Sequence, residues 1–216
     1  MLVIKPYTLA MEPNDVKGKQ MKSGQIAEAL AHALAPSVTL KSSPEARFRQ
    51  VHELLRDSCR AGMRHLLLIE EAHRLPLATL KHLKGWLELK DGLRRLLGVC
   101  LIGQPELADI LAEQRREIRE VVQRCEKVHL PPLDDQLEGY LRHIFSQAGS
   151  DMAEVVTPDG IDALRARLMV VPERGRPGNA VSVCYPLVVN NLLARAMQAA
   201  ARNGWPRVDA SVVMGC

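Results

Sequence analysis

Leu66, Leu67, Leu68 and Ile69 run without a polar break and end abruptly at two carboxylates, Glu70 and Glu71. An apolar run with no alternation predicts a strand buried on both faces of a parallel sheet. In open α/β sheets the chemistry lies beyond the carboxyl ends of the strands, which is where these two acids fall. A second apolar run, Leu96-Leu97-Gly98-Val99-Cys100-Leu101-Ile102, finishes at Gly103-Gln104-Pro105. Between the runs, Leu77, Leu80, Leu83 and Leu87 mark one face of a helix, with Lys81, Lys84 and Lys90 on its wet side and Asp91-Gly92 as its stop. Strand, helix, strand over this span is a βαβ unit, so the two strands are expected to be parallel.

The remaining segments fit an α/β core followed by helices. Tyr7 to Met11 reads as a strand, followed by a basic loop bearing Lys17, Lys19 and Lys22. Ser23 is placed to cap a helix with Ile26, Ala29, Leu30 and Ala33 on one face, and Pro44 to Ala61 forms a second helix. A charged helix covers about Glu106 to Arg124, and Val128-His129-Leu130 reads as a short strand. Pro131-Pro132 is the expected domain boundary, giving an α/β core over 1–132 and a purely helical domain over 133–216. In the second domain, Leu137, Tyr140, Leu141, Ile144 and Phe145 share a helix face, Thr157-Pro158 opens another helix, and a long helix runs from near Pro186 to Arg202.

Composition excludes several classes. With 47% hydrophobic and 25% charged residues in 216, the chain is globular rather than disordered. A formal net charge of +4 permits a nucleic-acid partner without demanding one, and 3% aromatics argues against base-stacking platforms. The five cysteines have neither Cys-x-x-Cys nor zinc spacing, so reduced thiols in a cytoplasmic protein are expected. No apolar stretch approaches the roughly 20 residues that span a bilayer. His65 and His73 flank the acidic strand without metal-spaced partners and are read as structural.

The two acids after an apolar run resemble the Walker B segment of P-loop ATPases. Ile69-Glu70-Glu71-Ala72-His73-Arg74-Leu75, followed by Leu101-Ile102-Gly103-Gln104-Pro105-Glu106-Leu107, is similar to AAA+ ATPases of the ExeA, TnsC and Mu B group. Gln123-Arg124-Cys125-Glu126-Lys127-Val128-His129-Leu130-Pro131-Pro132 resembles that group's arginine-bearing turn, short strand and hinge, and the helical remainder resembles the AAA+ lid. Within the group, the Asp15 to Lys19 loop and the Ser43 to Phe48 helix start are most similar to the DNA transposition B proteins of Mu-like phages.

The resemblance implies a P-loop NTPase sheet core with a helical lid, using ATP and Mg²⁺. It implies Glu71 as the water-orienting base, Glu70 in the metal shell, and Gln104 as the polar residue facing the γ-phosphate. It implies Arg124 as an arginine finger completing a neighbouring subunit's site in a homo-oligomer, with Arg115, Arg116 and Arg119 as rivals, and Arg176 as the lid's phosphate sensor. For a transposition protein, the partners would be double-stranded DNA bound without sequence preference, through Lys17, Lys19 and Lys22, and a transposase. An ExeA-type secretion ATPase and a non-catalytic interaction module are the alternatives.

Two departures bear on these implications. No Gly-rich loop ending in Lys and Ser or Thr is present: Met21 and Val16 stand where glycines would precede Lys22-Ser23, and Leu40 where one would precede Lys41-Ser42. The core is therefore expected to be incomplete at its N-terminal side, and MgATP binding by this chain to be weak. Glu70 also stands where the group has Asp.

Overall fold

A computed structural model describes residues 1–6, 21–112, 118–171 and 180–216. These form two compact units, Met1–Glu126 and Lys127–Cys216. The first is built on a three-stranded parallel sheet with the order β1-β2-β5. Its elements are β1 (Leu2–Ile4), α1 (Ser23–Leu34), α2 (Pro44–Arg60), β2 (His65–Ile69), α3 (Leu77–Leu87), β3 (Lys90–Asp91), β4 (Arg94–Arg95), β5 (Leu97–Leu101), α4 (Pro105–Ala112) and α5 (Arg119–Val122).

The central strand β2 pairs on one side with β1, from Leu2 opposite His65 to Ile4 opposite Leu67. On the other side it pairs with β5, from His65 opposite Leu97 to Ile69 opposite Leu101. Both pairings are parallel, as the βαβ reading requires. Leu67 and Ile69 are fully buried and meet Ile26 and Leu30 of α1, Val51 and Leu55 of α2, and Leu80 and Leu83 of α3 in one core. The spacing read from sequence finds part of each buried face: in α1 Ile26 and Leu30 are buried as expected, but Ala33 is exposed and Ala27 and Ala31 are buried instead, and in α3 Leu80 and Leu83 are joined by Thr79 and Trp86.

Local chemistry fixes the helix starts. Ser43 Oγ accepts from the Ala46 amide at 3.1 Å, and Pro44 takes the first helical position of α2. For α1 the cap is Lys22, not Ser23, and Gln25 reaches back to accept from the Lys22 amide at 2.7 Å. His65 lies in the core: its Nδ1 donates to the Leu96 carbonyl at 3.3 Å, and its Nε2 pairs with the Ser58 hydroxyl at 2.8 Å. Burial lowers its proton affinity, so the neutral ring these bonds need is the favoured form.

Several expectations are corrected. The strand paired to β2 on its outer side is Leu2–Ile4, a segment not assigned to the sheet from sequence; Tyr7 to Met11 lies outside the described residues. Asp91-Gly92 is not a helix stop: α3 ends at Leu87, and Gly92, at φ +61°, begins a two-residue turn joining β3 to β4. Glycine at the first turn position with positive φ is the type II′ requirement, which suits the twist of a hairpin. The expected helix over 106–124 is described as α4 and α5, with residues 113–117 outside the description. Val128, His129 and Leu130 form no strand and are exposed. A β-prone tripeptide with no ladder partner has nothing to hold it extended.

The second unit contains α6 (Leu137–Gln147), α7 (Met152–Val155), α8 (Pro158–Arg167), β6 (Met169–Val170), β7 (Val181–Ser182), α9 (Pro186–Asn203) and α10 (Ala210–Gly215). It is not purely helical: β6 and β7 pair antiparallel, with Met169 opposite Ser182. Its core joins Leu137, Leu141 and Phe145 to Leu164, Leu193, Ala196 and Val213. Thr157 caps α8, as its position before Pro158 predicts, and Gly204 at φ +69° ends α9. Among the described residues no helix is long and apolar enough to cross a membrane.

Candidate functional site

The parallel register ends with Ile69 beside Leu101, so the chain beyond β2 and the chain beyond β5 emerge side by side. Two backbone bonds fasten them: the Ile102 amide donates to the Ile69 carbonyl, and the Ala72 amide to the Ile102 carbonyl, both at 2.8 Å. Glu70 and Glu71 thus lie next to Ile102, Gly103 and Gln104 at the carboxyl edge of the sheet, where α/β folds place ligands. Gly103 suits this closeness. A Cβ there would meet Leu107 at 3.0 Å and the His73 amide nitrogen at 3.1 Å.

Glu70 is half-exposed and its carboxylate takes an ion pair from Lys5 Nζ at 2.9 Å. Glu71 has a left-handed backbone, φ 52° and ψ 33°. A non-glycine residue there costs roughly 1–2 kcal/mol, and such strain clusters at functional sites. The conformation turns the chain from β2 into a single helical turn over Ala72–Arg74. The Glu71 carboxylate is flanked by His73 Nε2 and Arg74 Nε, each at 3.7 Å. His73 is nearly buried, and its Nδ1 accepts from the Gln104 amide at 3.3 Å. That bond leaves the ring proton on Nε2, facing Glu71. The role of His73 between the two loops, like the Lys5 partner of Glu70, was not legible in sequence spacing, because both contacts depend on the sheet register.

Replacing Glu71 by glycine should relieve the strain. Discounting the extra unfolded-state freedom of glycine and a weak exposed ion pair, Glu71→Gly is expected to raise stability by about 0.5–1 kcal/mol. Urea denaturation measures this; a loss of stability instead would mean that the left-handed turn is not strained.

The other predicted site residues lie elsewhere or outside the description. Arg124 follows α5 and is tied down: Nη1 donates to the Glu120 carbonyl and Nη2 to Glu88, both at 2.8 Å. Glu120 also pairs with Lys84, so two ion pairs link α5 to the end of α3. Lys22 is exposed at the start of α1. Lys17, Lys19, Arg115, Arg116 and Arg176 lie outside the described residues. A cavity of about 510 Å³ lined by Phe48, Lys81, Lys84, Trp86 and Glu120 includes none of Glu70, Glu71 or Gln104.

Two carboxylates and a polar loop at one sheet edge suit the metal-and-water half of a nucleotide site. No group of three or more His, Cys, Asp and Glu side chains forms a metal cluster among the described residues.

Comparison with known proteins bears on the fold and the sequence class. The family model described as AAA domain matches residues 13–111. The chain is 28% identical, over 181 residues covering 81% of its length, to General secretion pathway protein A of Aeromonas hydrophila. It spans 30% of that relative's length. Among solved structures it is similar to Cdc6p from Pyrobaculum aerophilum, with a TM-score of 0.55 at 16% identity, covering 86% of this chain and 46% of that one. The fold is a parallel α/β architecture similar to that of Cdc6p, and the sequence likeness is to an AAA domain and to General secretion pathway protein A.

Proposed function

We propose that the carboxyl edge of β2 and β5 is the hydrolytic half of an AAA-type ATP site, which in a family member carrying the Gly-rich phosphate loop serves ATP-dependent assembly on duplex DNA, target selection and activation of a transposase, while this chain, without that loop, binds MgATP weakly. The observation that carries the ATP-site reading is the register that sets Glu70 and Glu71 beside the Gln104 loop. When bound, MgATP supplies the phosphoanhydride bond and the charge that binds subunits together. Glu70 would exchange Lys5 for a place in the metal shell. Glu71, held by the turn and by His73, would orient a water, and Gln104 would face the terminal phosphate. Arg124 would act as a finger only by leaving Glu88 for a neighbouring subunit's site, so nucleotide-driven assembly competes with that ion pair. Arg176 as the lid's phosphate sensor and a cytoplasmic location belong to the same reading.

The DNA part rests on the resemblance to the transposition B proteins and on the lysines at 17, 19 and 22. A second reading, an ATPase of a secretion pathway that uses no DNA, is favoured by the 28% identity to General secretion pathway protein A. Duplex binding discriminates the two. The transposition reading expects weak, sequence-independent binding that fades between roughly 50 and 200 mM salt. The combined change Lys17→Ala, Lys19→Ala, Lys22→Ala should lower the log–log salt slope by roughly two to three units. No duplex binding by the unaltered protein at about 50 mM salt would favour the secretion reading.

A further inference from the structure

The hairpin formed by β3 and β4 projects between α3 and β5 and has no part in the strand-end site. Its base is anchored firmly. Leu89 and Leu96 on either side are buried, and the Leu96 amide donates to the Leu89 carbonyl at 3.1 Å. The Arg60 guanidinium grips Asp91 with two bonds, of 2.8 and 2.9 Å. The Lys90 carbonyl accepts from His52 Nε2 at 3.0 Å. What this mount presents is basic and apolar. Lys90 and Arg95 are directly opposite each other across the two strands, so their side chains share a face. Both are exposed, and neither has an ion-pair partner among the described residues. Like charges directly opposed destabilise a strand pair, and an anion lying between them removes that cost. The carboxylate on the hairpin, Asp91, is taken by Arg60, and Arg94 stands opposite it across the two strands, on the other face from Lys90 and Arg95. At the tip, Leu93 is fully exposed.

We propose that the β3–β4 hairpin is a second duplex-DNA contact, entering the major groove with Lys90 and Arg95 on phosphates and Leu93 toward base edges. The proposal rests on the reading that the protein acts on DNA. The major groove admits a two-stranded ribbon, and an aliphatic side chain there packs on thymine methyl groups. The two opposed cations match the spaced charges of a backbone, and such contacts carry no sequence information of their own. A lipid surface is the weaker match, since one aliphatic tip buries little beside the apolar face that interfacial helices use.

The test uses the whole chain and a fluorescent duplex titrated from about 50 to 200 mM salt. The double change Lys90→Ser, Arg95→Ser should lower the log–log slope by about two, at roughly 0.9 per lost phosphate contact. Arg94→Ser, on the opposite face of the hairpin, should lower it by less than about one. A photoreactive phenylalanine replacing Leu93 should yield a covalent adduct with the duplex. If the hairpin variants keep the full slope and no adduct forms, while the change at Lys17, Lys19 and Lys22 does lower it, the hairpin contact is wrong and the DNA reading stands. If the unaltered protein binds no duplex, both fall. Binding to phosphatidylserine vesicles that is lost in the double variant, with the DNA slope unchanged, would reassign the hairpin to lipid.

Discussion

Gly160→Ala should destabilise the second unit by about 2–4 kcal/mol, against the direction that helix propensity predicts. Gly160 is the third residue of α8, where alanine is normally better by about 1 kcal/mol. The obstacle is backbone: a Cβ at 160 would stand 2.5 Å from the Val208 carbonyl oxygen and 3.3 Å from its carbon. That same oxygen accepts from the Thr157 amide at 3.0 Å and from the Thr157 hydroxyl at 3.2 Å. On the far side the Val208 amide donates to the Val155 carbonyl at 2.8 Å, and the Ala210 amide to Asp159 at 3.0 Å.

The added methyl must therefore push a stitched segment off the start of α8, carrying Val208, Val212 and Val213 out of their core. Overpacking of this kind costs about 1–3 kcal/mol. Two or three weakened hydrogen bonds add about 1 kcal/mol each, which outweighs the propensity gain. Gly139→Ala in α6 is the matched control, with nothing within 4 Å of its added Cβ, and it should stabilise by about 0.5–1 kcal/mol. Urea melts of both variants measure the pair. Equal gains from both would mean that the Val208 segment moves aside freely and that the close approach has no structural role.

The contrast between these glycines is not visible in the sequence, where both sit inside helical patterns. The same limit runs through the fold. β2 and β5 were readable because Leu66–Ile69 and Leu96–Ile102 are unbroken apolar runs, but the burial on both faces that such runs suggest is not reached: Leu66 and Leu68 are only partly buried, and in β5 only Leu97 is buried. β1 was not, since three residues between Met1 and Lys5 are too few to show a period. The hairpin at Asp91-Gly92 carried a usable signal, because glycine followed by any residue between two short extended segments suits a type II′ turn. It was misread because the same dipeptide also ends helices. Val128-His129-Leu130 failed in the opposite way: its propensity is real, but a strand needs a ladder partner, and propensity says nothing about one.

The candidate site divides along the same line. That two acids and a polar loop stand at strand ends follows from sequence order. That Glu71 is left-handed, and that His73 spans from it to Gln104, follows only from how the two loops pack. Pairing of Arg124 with Glu88 joins residues 36 apart and depends on α5 lying against α3.

Ile69→Ala should cost about 2–5 kcal/mol, whereas Glu70→Gln, the very next position, should cost no more than about 1. Ile69 is fully buried in the central strand of the sheet, among side chains from α1, α2 and α3. Removing its branched side chain leaves a cavity that a parallel strand held on both sides cannot collapse to fill. Its carbonyl also accepts from the Ile102 amide, the bond that fastens the β5 loop to the β2 loop. Glu70 points the other way, into water, where its exposed ion pair with Lys5 contributes little. Ile69→Val, which removes a single methyl group, should fall between, at about 0.5–1.5 kcal/mol. Urea unfolding of the three variants gives the order. Should Glu70→Gln prove as damaging as Ile69→Ala, the acid would be a structural support of the strand end. The predicted order leaves Glu70 free of any large role in folding.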